Sequence, residues 1–160
     1  MCLYVNYKTP SIAEIDITCY KVYMFYNNQE YISPYRKAKM PPMDTLTITE
    51  LDENNPVNKG FHSFMSVSDA KNDAFMLSVM YGGTRATVFR CIIPKGTKYY
   101  EGHTTFSSSK GINDGFEYIQ VPCYCSEALI VKPRKELSSF ILLKRKIRDI
   151  FIYLKLMIFK

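Results

Sequence analysis

The sequence predicts an α+β fold: a largely antiparallel β-sheet with one inserted helix, followed by a C-terminal amphipathic helix. Three observations carry that prediction. Runs of β-branched and aromatic residues of strand length outnumber helical patterns. A single capped apolar stripe stands among them. The charge also divides sharply near the end of the chain, with 160 residues being enough for one domain with a full core.

Taken in order, the first sixteen residues read as irregular, ending in "IAEIDI". The run "ITCYKVYMFY", Ile17 to Tyr26, follows as a strand. "MPPMD" excludes regular structure around Pro41 and Pro42. "TLTIT", Thr45 to Thr49, alternates and predicts a half-exposed strand, and "FHSF" after Gly60 predicts a short one. Ser66 then opens a helix, three residues before Asp69 in the manner of a capping box. Val67, Ala70, Ala74 and Leu77 give it one apolar stripe. "YGGT" ends it, and "RATVFRCII", Arg85 to Ile93, is the next strand. "PKG" turns the chain into "TKYYEG", a loop rich in Gly and Ser is expected from Gly102 to Gly115, and "FEYIQV" and "YCSEALIV" close the sheet.

Composition narrows the function classes. There are 13 Tyr, 10 Phe and no Trp, and the tyrosines fall mostly in the strand-like runs, which suits cores and cleft walls better than a base-stacking surface. The net charge of +6 belongs to one segment. Lys132 to Lys160 holds nine Lys or Arg against two acidic residues, whereas Met1 to Val131 holds twelve against thirteen. A nucleic-acid-binding face would spread its charge differently, so no specific nucleic-acid signal is present. The opening "MCLYVNYKTP" lacks the basic start and apolar stretch of a secretory signal, which predicts a cytoplasmic protein with reduced thiols. Cys123 and Cys125 are one residue apart, and His62 and His103 are the only histidines, so no zinc-type spacing exists and no metal is expected. Cys19 and Cys91 lie in apolar runs and read as small buried hydrophobes.

Several segments together resemble a family of small, largely uncharacterised bacterial and phage proteins: "CYKVY", "SPY", "GFHSF" before a helix containing "DAK", "IPKGTKYYEG" and "SEALIV". That resemblance implies one domain over residues 1–133 and names no substrate. A weaker similarity is to ADP-ribosyltransferase-like domains, in which "FHSFMS" stands for the serine strand and "CSEALIVKP" for the glutamate segment. On that mapping, Ser63 would support a nicotinamide pocket. Glu127 would hold a ribose hydroxyl and stabilise the positive charge that develops as the glycosidic bond breaks. The first strand of such domains offers Arg or His to the dinucleotide, and here "CYKVY" offers Tyr20 and Lys21 instead.

The candidate site residues are therefore Glu127 and Ser63 for catalysis, and Tyr20 and His62 for a cofactor. His62 and Ser63 are neighbours in a strand and should point to opposite faces, so the pair reads first as a strand end leading into a capped helix. Cys125, Glu127 and Leu129 should share one face. Residues 134–160 form the second unit, in which Phe140, Leu143, Ile147, Ile150, Phe151 and Leu154 fall on one helical stripe. Lys144, Arg145, Arg148 and Lys155 group opposite it, which suits a partner groove or an anionic membrane surface and makes a poor transmembrane span. The expected function is that of a small binding or interaction protein, of the kind mobile elements encode, acting through a protein partner and without a cofactor. The alternative is an NAD-using enzyme of the ADP-ribosyltransferase-like type.

Overall fold

The β-branched and aromatic run Ile17–Tyr26 forms a strand in the middle of the sheet. In a computed structural model, which describes residues 4–5, 9–26, 30–52, 59–82, 85–109 and 116–133, Ile17–Tyr26 is a strand along its whole length. In chain order the elements are β1 (Tyr4–Val5), β2 (Ser11–Ile12), β3 (Ile17–Tyr26), β4 (Glu30–Ile32), β5 (Leu46–Ile48) and β6 (Phe61–Phe64). Helix α1 (Val67–Met80) follows, then β7 (Ala86–Ile93), β8 (Lys98–Ser109), β9 (Phe116–Ser126) and β10 (Ala128–Val131). The strands of the described residues form one sheet in the order β1-β8-β9-β6-β3-β7-β10-β5, with β2 added to β8 and β4 to β3. Every strand pair is antiparallel.

The helix forms where expected and for the expected reason. Ser66 is its N-cap: the Asp69 N–H donates to Ser66 Oγ at 3.1 Å, and Ser66 Oγ–H reaches Asp69 Oδ2 at 2.7 Å. Its buried face is Ala70, Asp73, Ala74 and Leu77. Val67, expected on that stripe, is 41% exposed instead, and a carboxylate, Asp73, stands in the stripe.

Two further expectations are corrected. The Gly/Ser-rich segment after Gly102 is strand as far as Ser109, since β8 and β9 pair in unbroken register from Tyr99↔Ser126 to Ser109↔Phe116. Long-range pairing overrides the weak local preference of "GHTTFSSS". The first sixteen residues also contribute two short strands, both added to β8. Residues 134–160, with Lys144, Arg145, Arg148 and Lys155, lie outside the described residues.

Two apolar clusters flank the central strands. Val22, Phe64, Leu77, Tyr100, Cys123 and Cys125 pack beneath α1. Cys19, Tyr23, Phe89, Cys91, Ile93, Leu129 and Val131 pack on the other face, where the Tyr23 and Tyr31 rings meet the Phe89 ring edge-on at 5.8 and 5.1 Å. Cys19 and Cys91 are cross-strand neighbours with no exposure.

Between β9 and β10 lies a single residue, Glu127, and there the chain changes partners. β9 pairs with β8 and β6, whereas β10 pairs with β7 and β5. The path β9-β6-β3-β7-β10 thus starts and finishes on one continuous segment, so the sheet curls back on itself. Cys125 and Leu129, expected on a common face with Glu127, consequently belong to different clusters. The bend resets the two-residue alternation.

Candidate functional site

Strand β3 has two edges, and they differ. On one, Ile17 to Met24 pair without a break against Ile93 to Ala86 of β7. On the other, Tyr20 pairs with Phe64 of β6, and the next partner is Ile32 of β4, opposite Met24. Among the described residues, Lys21, Val22 and Tyr23 have no strand partner on that edge. A cleft of about 340 Å³ opens there, within the usual range of small-ligand sites. Its floor is Lys21–Tyr23, one wall is Gly60 with Phe61 and His62 of β6, the other is the segment Ser33–Lys39, and Asp73 of α1 closes one end.

Local chemistry explains how β6 meets this gap. Gly60 has φ +106°, a conformation that side chains rarely adopt, and a Cβ there would stand 2.5 Å from Cys125 Sγ and 2.8 Å from Leu51 Cδ2. Only glycine lets the chain enter β6 so close to β9. His62 then points to the Cys125 side, with Nε2 3.8 Å from Sγ, and lines the cleft. Ser63 points to the opposite face and is fully buried against the Cys19 thiol, with no nitrogen or oxygen partner among the described residues. The two neighbours face apart, as strand alternation requires.

The lysine amine spans the gap. Lys21 Nζ donates to the His62 carbonyl at 2.6 Å, replacing a ladder bond that β3 and β6 do not make. No carboxylate among the described residues forms an ion pair with it. Burial lowers its pKa, countered in part by neighbouring thiols. Across the cleft, Asp73 is 3% exposed; its Oδ1 accepts from Tyr35 O–H at 2.9 Å, and its Oδ2 is buried with no partner among the described residues. Burial raises the Asp73 pKa, the Tyr35 bond opposing it, and the same burial raises that of Tyr35. The Tyr23 hydroxyl is likewise buried without a partner among the described residues. A half-buried amine and a buried carboxylate oxygen with no partner among the described residues thus meet at one small space. Such groups cost free energy in the empty site and gain it when a ligand satisfies them.

More positive charge surrounds the opening. Arg36, Lys39 and Lys59 line it; Lys39 is paired with Glu30 at 2.9 Å and Lys59 with Glu50 at 2.8 Å, both pairs largely exposed. The rings of Tyr23, Tyr35 and Phe61 supply flat apolar wall.

The other sequence candidates are elsewhere. Glu127 lies outside the cleft lining: its Oε1 accepts from the Lys98 N–H at 2.8 Å, its own N–H donates to the Lys98 carbonyl, and its carbonyl accepts from Thr49 N–H. It fastens the bend between β9 and β10 to β8 and β5. Tyr20 packs against the cluster beneath α1 and lines a separate groove. Of the four candidate site residues His62 lines the cleft, as does Lys21, which the sequence offered beside Tyr20 on the first strand. Lys21, Tyr35 and Asp73 were missed as a set, although two carried a signal: a charge within the apolar alternation Cys19–Lys21–Tyr23, and an acid within the helix stripe Ala70–Asp73–Leu77.

Comparison with known proteins adds nothing to this geometry: no protein-family profile, curated protein or solved structure matches the chain.

Proposed function

We propose that this domain binds a phosphate-bearing nucleotide in the gap between β3 and β6. The observation that carries the reading is the unpaired stretch Lys21–Tyr23, with a desolvated amine on one side and the unpartnered Asp73 oxygen on the other. Lys21, supported by Arg36 at the rim, suits a phosphate. Asp73 Oδ2 suits a hydroxyl or amine donor on the same ligand, and the Tyr and Phe rings suit a base. This reading keeps the nucleotide of the ADP-ribosyltransferase-like alternative and reassigns its residues. Glu127 and Ser63, on which glycosyl transfer was expected to depend, are engaged with backbone and core. Asp73 is the carboxylate that lines the cleft among the described residues, so any stabilisation of a developing cation falls to it. The protein-partner reading rests on the basic C-terminal segment, which lies outside the described residues.

A thermal-shift and calorimetric titration with NAD, ADP and ATP, against adenosine and inorganic phosphate, tests this proposal. A bound nucleotide at about 100 times its Kd adds about 2.7 kcal/mol of apparent stability. Lys21→Met should abolish the gain while the protein remains folded, and Asp73→Asn should weaken it while keeping an acceptor for Tyr35. Absence of a shift with every nucleotide removes the proposal.

A further inference from the structure

Helix α1 has a second apolar side. Phe75, Val79 and Met80 are 68%, 61% and 70% exposed, with Met76 beside them. Side chains this large, grouped on the outer face of the last two helical turns, are more than the scattered surface hydrophobes of a soluble domain. A groove runs alongside between α1 and β7, and Phe75 forms part of its lip. Lys71, Arg85 and Arg90 line the groove, and none forms an ion pair among the described residues. Asp44, the carboxylate lining it, is already paired with Lys132 at 2.9 Å.

Lys132 and Pro133, the last described residues, also line the groove, and the sequence that follows is basic. Residues 132–160 carry a net charge of +7, with many apolar residues among the cations. Groove and following segment therefore have the same sign of charge and the same pairing of apolar with basic residues. Like charges on both argue against each serving as the other's partner. Both complement a surface that is negative and apolar just beneath.

From this complementarity we infer that the outer face of α1, flanked by Lys71, Arg85 and Arg90, docks the folded domain onto an anionic lipid surface. The apolar side chains enter the headgroup boundary while the cations face lipid phosphates. The inference is independent of the nucleotide cleft, which lies at the opposite edge of β3.

The test is sedimentation of the full chain with phosphatidylcholine vesicles, with and without phosphatidylglycerol. Wild type should sediment with the phosphatidylglycerol vesicles, and salt should weaken it. Each cation near such a surface is worth roughly five-fold in partitioning, so Lys71→Glu with Arg90→Glu should reduce binding by well over tenfold. Phe75→Ser with Val79→Ser should reduce it at every salt concentration. All four side chains are exposed, so the melting curves should match wild type and confirm that both variants fold. The inference fails if both variants sediment like wild type while Lys144→Glu with Arg148→Glu does not, since the basic segment then acts alone. It also fails if wild type ignores anionic vesicles. Concentration-dependent self-association lost in Phe75→Ser, without lipid binding, would assign the face to a second copy of the chain instead.

Discussion

The two edges of β3 bound the same residues and do different work. Toward β7, Lys21, Val22 and Tyr23 are rungs of an uninterrupted ladder, opposite Phe89, Val88 and Thr87. Toward β6 and β4 the same three residues have no strand partner among the described residues, and the cleft stands there. The difference teaches that one strand can hold the core and floor a site at once, provided that its neighbours on one side diverge. Backbone groups left over at a sheet gap need partners, and here a lysine amine supplies one of them.

The comparison is broken most severely from the ladder side. Phe89→Ala removes a buried ring that meets both Tyr23 and Tyr31, and should cost about 3–5 kcal/mol in urea denaturation. Nucleotide affinity of the fraction that stays folded should change little. Gly60→Ala acts on the gap side, where strain at φ +106° adds to the collision with Cys125 and Leu51. A loss of about 1–3 kcal/mol is expected, together with weaker ligand binding because the β6 wall must shift. A variant as stable as wild type would show that β6 is free to move.

Asp73 sharpens the contrast through pH. Its folded pKa is raised above the unfolded value, so the native state holds the proton more tightly. Stability therefore falls as pH rises from the ordinary aspartate range toward the folded pKa, and the full penalty is present above it. Asp73→Asn should remove that dependence, melting higher than wild type at neutral pH and alike at strongly acid pH. Identical pH profiles would mean that the carboxylate is solvated. The smallest effect is expected at the bend. Glu127→Gln retains an acceptor for the Lys98 N–H, so stability should stay within about 0.5 kcal/mol of wild type and nucleotide binding should be unaltered. A large loss of binding would return Glu127 to the site.

A third feature, the exposed apolar face of α1, stands apart from both edges. Among the described residues no helix is long and apolar enough to cross a membrane, and the proposed lipid contact is a surface one.

Much of the architecture was legible in the sequence. The Ile17–Tyr26 and Ala86–Ile93 strands, the Ser66 cap, the opposed directions of His62 and Ser63 and the burial of Cys19 and Cys91 all follow from local composition and two- or 3.6-residue periodicity. The site was legible only in fragments. Alternation reports the face on which a side chain lies and nothing about the strand's edges, because every residue offers the same backbone groups there. The gap beside Lys21, the meeting of Tyr35 with Asp73 across thirty-eight residues, the continuation of β8 through a Gly/Ser-rich stretch and the bend at Glu127 each depend on which distant strand arrives alongside. Only the tertiary structure decided those, since they are set by long-range pairing and not by local preference.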